Sequence, residues 1–268
     1  MKTALTYLSL VNLVFVLLLA VSGGASGVFG EVLYILAFLL PIAASLYIIR
    51  RCSLSFEPPR VKLSRADAAL TLSLTAPTIS LVFLISYLTD KLVSLFADQN
   101  LPDVSGPLFA VLISNALITP ILEEMLFRYI PLALLSPYSR RGAVIYSSVF
   151  FALVHCNIFQ LPYALIAGII FAVLTLITGS IIPSIIIHSI NNVVSVFWIR
   201  YGENASFLMR YLIVLGIFTF VSLPFVFIFR KRILKGLSDA FKTGERGMPA
   251  ASFIVFAAAM LIASLLSL

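Results

Sequence analysis

The sequence is poor in charge and lacks the patterns that mark most soluble enzymes. Only 11% of its 268 residues are charged, whereas 61% are hydrophobic, and the mean hydropathy is +1.12. A soluble domain of this length could not bury so much apolar surface. No nucleotide-binding glycine loop, internal repeat or low-complexity tract occurs. The composition therefore predicts a single integral membrane domain over residues 1–268.

Cysteine is almost absent as well. The two cysteines, Cys52 and Cys156, offer neither a disulfide framework nor the spacing of metal ligands. Cys156 follows His155 directly, and neighbours on a helix point about 100° apart. We therefore expect Cys156 to be a small apolar filler.

Long apolar runs dominate what remains. About nine of them approach the roughly 20 residues that a membrane-spanning helix needs. They lie near 4–22, 29–49, 68–89, 107–135, 142–157, 161–178, 180–199, 208–229 and 250–267. The predicted fold class is all-α, a polytopic transmembrane helical bundle with about eight or nine spans. The first run could also be a cleaved signal peptide, but its apolar stretch is long for that, which favours a retained helix.

The net charge of +7 is explained by membrane topology. Basic residues cluster after the second, fourth and eighth runs: Arg50, Arg51, Arg60, Lys62, Arg65, Arg140, Arg141, Arg230, Lys231, Arg232, Lys235, Lys242 and Arg246. The loop after the third run instead carries Asp90, Asp98 and Asp103. The positive-inside bias predicts a multi-pass protein with a cytoplasmic N-terminus and an external C-terminus. Because membrane topology accounts for the positive charge, we expect no nucleic-acid partner.

Some of the polar residues inside the predicted spans could form one site. These are Glu123, Glu124, Arg128, His155, His188 and Asn192. Burying such groups costs several kcal/mol each unless they are paired or solvated, so by default they mark a functional site. A polar cluster that only holds helices together is the structural alternative. Because Pro120 should kink its helix, we expect an intramembrane polar cavity beside the glutamates.

Spacing sharpens the expected site. Three pairs are four residues apart, so that each pair shares one helical face: Glu124 with Arg128, Phe151 with His155, and His188 with Asn192. Glu123 then points away from the arginine. Helices running in opposite directions bring these groups to similar depths in the bilayer, which supports one site.

The chemistry of these groups suits hydrolysis of an amide. A carboxylate and an imidazole in a partly dry cavity can activate water, and a second imidazole with an amide can stabilise an oxyanion. Serine catalysis is not indicated, because no G-x-S-x-G motif occurs. Glu123, His155 and His188 could also form a metal triad, although H-E-x-x-H is absent. We predict no cofactor and no metal, with zinc left open.

Three motifs in this region resemble those of a known family. They read "EEMLFR" at 123–128, "FALVH" at 151–155 and "HSINN" at 188–192. The pattern E-E-x-x-x-R, F-x-x-x-H and H-x-x-x-N/D resembles the CAAX prenyl endopeptidases and their prokaryotic relatives, the CPBP or Abi intramembrane proteases. The resemblance covers a catalytic core at about 107–200.

The resemblance implies a helical fold with a cavity reachable from the membrane interior and the cytosol. It implies that Glu123 and His155 activate water, and that His188 and Asn192 form the oxyanion hole. Glu124 and Arg128 would hold the cavity's shape. The expected function is an intramembrane endopeptidase that cuts a membrane-associated or lipid-anchored substrate by glutamate-activated water.

Two other functions compete with this one. A non-catalytic member of the same family could act in bacteriocin immunity or as a scaffold, but intact catalytic positions disfavour it. A transporter could use buried charges to carry ions, but no inverted repeat is detectable. In every case the bilayer itself is an expected partner.

Overall fold

The computed structural model describes residues 2–23, 27–51, 54–96, 104–202 and 204–242. Helices make up nearly all of these ranges, and no strand forms within them. In chain order the helices are α1 (Lys2–Gly23), α2 (Gly27–Arg51), α3 (Arg65–Val93), α4 (Leu108–Leu135), α5 (Arg140–Leu153), α6 (Leu161–Thr178), α7 (Ile182–Tyr201) and α8 (Ala205–Ala240). The all-α prediction is therefore confirmed for this part of the chain.

Six of the described helices are long and apolar enough to cross a membrane. They are Val32–Arg51, Arg65–Val93, Leu108–Leu135, Leu161–Thr178, Ile182–Tyr201 and Ser206–Ala240, and a shorter apolar stretch covers Thr6–Ser22. The protein is thus an integral multi-pass membrane protein. The predicted count of eight or nine spans is not confirmed, and the predicted run 250–267 lies outside the described residues.

The predicted span 142–157 was wrong in its extent. Helix α5 has 14 residues, so it is about 21 Å long and shorter than the roughly 30 Å hydrocarbon core. It ends at Leu153, and Cys156 has a left-handed φ of 45° that no continuing helix allows. The side chain of Asn157 then accepts a hydrogen bond from the Phe159 N–H at 2.9 Å, which stabilises a turn. His155 and Cys156 therefore lie in this turn, not on a helix as predicted.

Helix α4 is interrupted twice by π-helical turns. Ser114–Ile118 and Met125–Tyr129 are π-helical, and the α-helical pieces that follow them, Thr119–Glu124 and Ile130–Leu135, each have a proline near the start. Proline has no N–H to donate and clashes with the preceding turn, so the helix widens ahead of it. The predicted distortion at Pro120 is present, and Pro131 produces a second one.

The core forms where α1, α2 and α4 meet α5. Phe15 of α1 lies 4.7 Å from Phe38 of α2 and 5.4 Å from Phe127 of α4, between ring centroids. Asn12 donates a hydrogen bond to the hydroxyl of Tyr146 on α5 at 3.2 Å. The first helix is therefore packed against the helices that carry the predicted site.

Several contacts gather the basic segments at one end of the bundle. The Arg60 N–H donates to the Gly179 carbonyl at 2.8 Å, and the Arg60 guanidinium donates to the Thr178 carbonyl at 2.8 Å. These bonds join the α2–α3 loop to the turn between α6 and α7. Arg232 of α8 pairs with the buried Asp67 at the start of α3. We call the end of the bundle that holds Arg60, Asp67, Gly179 and Arg232 the basic end. The opposite end, where α3 and α7 finish and α8 begins, is called the distal end.

Candidate active site

His188 lies between the two adjacent glutamates. Its Nδ1 is 3.0 Å from Oε1 of Glu124, and its Nε2 is 3.5 Å from Oε2 of Glu123. Glu124 is fully buried, whereas the side chain of Glu123 keeps 14% of its surface exposed. The imidazole stacks on the Phe171 ring at a centroid distance of 5.3 Å. This contact fixes the orientation of the imidazole between the two carboxylates. One histidine thus connects both members of the E-E pair.

Arg128 is buried among carboxylate, carbonyl and aromatic groups. Its Nε is 3.8 Å from Oε2 of Glu124, an ion-pair distance that is too long for a hydrogen bond. Its Cζ lies 4.1 Å from the centre of the Phe151 ring, within cation–π range. One Nη donates to the Phe127 carbonyl at 3.4 Å. This carbonyl has no α-helical donor, because the residue four positions later is Pro131, which lacks an N–H. The arginine therefore cross-links α4 and α5.

Small residues make room for this guanidinium. A Cβ on Gly168 of α6 would lie 3.0 Å from Cα of Ser148 and 3.3 Å from Nη2 of Arg128. Both distances are tighter than ordinary van der Waals contact. Gly168 therefore lets α6 approach α5 beside the arginine.

Phe151 joins the first and second motifs through its ring. Besides Arg128, the ring contacts His155 at 5.1 Å and His188 at 5.5 Å, both edge-on. Nδ1 of His155 is 2.7 Å from the Phe151 carbonyl. A carbonyl only accepts, so Nδ1 carries the hydrogen and Nε2 is left as the nitrogen that can reach a ligand.

Asn192 is oriented by a carbonyl that the proline in α4 leaves free. The Asn115 carbonyl would accept from the N–H of residue 119 in an α-helix, or from that of residue 120 in a π-helix. The Thr119 N–H donates to the Ser114 carbonyl instead, and Pro120 has no N–H, so the Asn115 carbonyl receives neither bond. Nδ2 of Asn192 donates to this carbonyl at 2.8 Å. The second N–H of the amide is thereby held in a fixed direction.

A cavity of about 310 Å³ adjoins these groups. It is lined by Glu123, His155, His188 and Asn192, and by residues of α3, α6 and α8. Glu124 and Arg128 do not line it, because both are fully buried behind His188 and Phe151. The structure thus separates the two glutamates, with one facing the cavity and the other facing the interior.

The family resemblance implies that Glu123 acts with His155 and that His188 acts with Asn192. In the structure the Glu123 carboxylate lies 3.5 Å from His188. Within the described residues no hydrogen bond joins Glu123 to His155. Also among them, no group of three His, Cys, Asp or Glu side chains is arranged to hold a metal ion. The catalytic roles of these residues stay predictions.

Several residues of the site were not predicted. Asn115, Gly168 and Phe171 fix the orientation of Asn192, Arg128 and His188, and Tyr163 and Gln160 line the cavity. Asn115 could have been found, because it lies five residues before Pro120 and so loses its carbonyl donor if the helix widens there. The others depend on how α6 packs, and no local pattern marks them.

The stretch that carries these residues is similar to a known protein family. Residues 105–194 match the family model described as "Type II CAAX prenyl endopeptidase Rce1-like". The match covers about a third of the chain and shows that this stretch is similar to the Rce1-like family. No curated protein and no solved structure matched the chain. All the predicted site residues fall within the matched stretch, and the predicted resemblance to CAAX endopeptidases is confirmed over it.

Proposed function

We propose that the protein is an intramembrane endopeptidase of the CAAX type. It would hydrolyse a peptide bond in a membrane-associated or lipid-anchored substrate, with water activated by Glu123. The observation that carries this proposal is the position of Glu123 at the cavity wall, 3.5 Å from His188, while its neighbour Glu124 is buried behind it. The match to the Rce1-like family supports a peptidase.

In the proposed reaction Glu123 is the general base. A water held between Glu123 and His155 would lose a proton to the carboxylate as its oxygen attacks the carbonyl carbon of the substrate. The same proton would then pass to the leaving nitrogen as the C–N bond breaks. Neither step needs a covalent enzyme intermediate. Nε2 of His155, left free by the Phe151 carbonyl, is the nitrogen that would orient the water.

Asn192 is the better candidate for the oxyanion donor. Its second N–H is held in place by the bond to Asn115, so it would stabilise the developing charge with little reorganisation. His188 can share this role only when both of its nitrogens carry hydrogen. Because the Glu124 carboxylate accepts from Nδ1, a neutral His188 presents a bare Nε2 to the cavity, which cannot donate.

Glu124 and Arg128 are proposed to support the site without contacting the substrate. Glu124 fixes the ring of His188, and Arg128 balances the charge of Glu124 in a fully buried position. A non-catalytic immunity or scaffold role remains the alternative function, but it gives no reason for a carboxylate at the wall of a cavity.

The proposal is tested by comparing wild type with Glu123→Gln on candidate membrane substrates by mass spectrometry. The variant keeps the size of the side chain but cannot accept the proton, so we expect cleavage to be lost while insertion and purification are unchanged. Glu57→Gln, an exposed carboxylate at the basic end, is the matched control and should cleave normally. Near-normal turnover by Glu123→Gln would show that Glu123 is not the base.

The proposed mechanism uses no metal ion. We expect a chelator to leave activity unchanged and the purified protein to carry far less than one zinc per chain. If zinc were held by Glu123, His155 and His188, removing it would stop hydrolysis and adding it back would restore it. Zinc-dependent recovery, together with near-stoichiometric zinc by elemental analysis, would replace the water-only mechanism.

A further inference from the structure

The helices that line the cavity contribute from their middle and from the part facing the distal end. Helix α3 lines it between Ile79 and Asp90, and α7 between His188 and Ile199. The segments 65–78 and 182–187, which lead to the basic end, do not line it. Helix α8 contributes Tyr211, close to its distal start. The cavity therefore extends from Glu123 toward the distal end only.

Along α4, α6 and α7, buried side chains follow the cavity-lining residues on the side of the basic end. Glu124, Arg128, Ser184 and Ile187 are each 0% exposed, and Leu174 is 2% exposed. These residues come from α4, α6 and α7, and none of them lines the cavity.

The distal part of the cavity has the chemistry of a peptide site. Four side-chain amides line it: Asn115, Gln160, Asn191 and Asn192. Amides both donate and accept, so they can satisfy the N–H and C=O groups of a substrate backbone that has left its helix. An aromatic cluster faces the same space, since Phe83 lies 4.8 Å from Trp198 and 5.5 Å from Tyr211. This cluster suits apolar side chains on either side of the cleaved bond.

The charge distribution assigns the two ends to the two sides of the membrane. The basic end carries Arg50, Arg51, Arg60, Lys62, Arg65, Arg140, Arg141, Arg230, Lys231, Arg232 and Lys235. Near the distal end the described helices carry only Lys91, Arg200 and Arg210. Positively charged segments stay in the cytoplasm, so the distal end is the extracytoplasmic one.

We propose that the substrate reaches the site from the extracytoplasmic side, and that it is an exported or membrane-anchored peptide segment with apolar side chains around the cleaved bond. The cleavage of the substrate rests on the proposed function, but the direction of access is inferred independently of it. It differs from the access from the cytosol that the family resemblance implied.

The direction of access is tested by cysteine labelling with a membrane-impermeant maleimide on intact cells of a bacterial host that holds the full-length protein in its inner membrane. Ser86→Cys places the thiol on the cavity wall, Ser94→Cys on the exposed distal surface, and Lys62→Cys on the exposed basic end. Mass spectrometry of peptides separates these positions from the two natural cysteines. We expect Ser86→Cys and Ser94→Cys to be labelled, and Lys62→Cys only after the membrane is permeabilised.

Two results would overturn the proposal. Labelling of Lys62→Cys on intact cells, with loss of labelling at the other two positions, would place the cavity on the cytoplasmic side. Labelling of Ser94→Cys but not Ser86→Cys would mean that the cavity is closed to water and reached through the lipid. The labelling is repeated in a Glu123→Gln background, so its result does not depend on catalysis.

A second experiment identifies the side of the membrane on which the substrate is cleaved. Among the fragments that depend on Glu123, cleavage sites are expected on extracytoplasmic segments. Sites found only on cytoplasmic segments would overturn the proposal while leaving the endopeptidase function standing. An absence of any Glu123-dependent fragment would remove the function and leave the labelling result unaffected.

Discussion

His188 and Arg128 contact different oxygens of the buried Glu124 carboxylate, at different distances. His188 Nδ1 lies 3.0 Å from one oxygen, whereas Arg128 Nε lies 3.8 Å from the other. The shorter contact is the hydrogen bond, and the longer one supplies charge balance. Arg128 is itself held by the Phe151 ring and the Phe127 carbonyl. The i, i+4 pair expected from the sequence is thus one part of a group that spans α4, α5 and α7.

Replacing Arg128 should destabilise the protein strongly. Arg128→Met leaves Glu124 as an uncompensated buried charge, a cost on the order of 3–5 kcal/mol. Thermal unfolding in detergent measures it, with Arg141→Met as the control because that side chain is exposed. The double change Arg128→Met with Glu124→Gln should be milder than Arg128→Met alone, since no lone charge remains. Simple additivity of the two single changes would argue against coupling.

Helices α5 and α6 can approach each other closely because residue 168 is a glycine and has no side chain. Gly168 faces Ser148 and Arg128 at distances that leave no room for a methyl group. Its counterpart for comparison is Gly216 on α8, where a Cβ would meet nothing within 4 Å. The two glycines lie on membrane-spanning helices but differ in their surroundings.

Gly168→Ala should therefore be destabilising and Gly216→Ala should not. Overpacking at Gly168 is expected to cost about 1–3 kcal/mol, because the neighbouring atoms include helix backbone. At Gly216 alanine has the better helix propensity and is expected to be neutral or stabilising by up to about 1 kcal/mol. Melting temperatures of both variants, with activity as a second measurement, check this. Equal effects would mean that the packing around Arg128 is not tight.

The helices and motifs could be predicted from the sequence, but the contacts between them could not. Hydropathy located most of the helices because apolar runs are a property of the local chain. It missed the end of α5, where the left-handed Cys156 and the Asn157 turn act on a scale shorter than any hydropathy window. The sequence also could not show that His188 lies between two glutamates, because this position depends on the rotation of α7 against α4. Only packing over a long sequence separation sets that rotation.

At the basic end, a small number of polar contacts join neighbouring helices of the described residues. The α2–α3 loop is joined to the α6–α7 turn through Arg60, and α3 is joined to α8 through Asp67 and Arg232. Arg232 also donates to the Ile177 carbonyl of α6 at 3.3 Å. Three helices that line the cavity farther along are therefore fixed to one another at this end.

Removing the Arg232 contact should loosen the bundle without touching the site. Arg232→Ala leaves Asp67, which is 3% exposed, without its cationic partner, and we expect a loss of about 1–3 kcal/mol. Lys235→Ala, three residues along α8 and exposed, is the matched control. Unfolding in detergent is the measurement. A melting temperature for Arg232→Ala equal to that of Lys235→Ala would mean that the pair does not contribute to stability.

The interrupted α4 has a consequence for how the protein is made. Its Asn115 and Phe127 carbonyls accept hydrogen bonds from Asn192 of α7 and Ser147 of α5, both of which are synthesised later. An unpaired carbonyl in lipid costs several kcal/mol, and this helix also carries two acids and an arginine. During biosynthesis α4 is therefore a poor candidate for release into lipid on its own. It should wait beside the insertion machinery until its later partners emerge, so that this stretch enters the bilayer as a preassembled group.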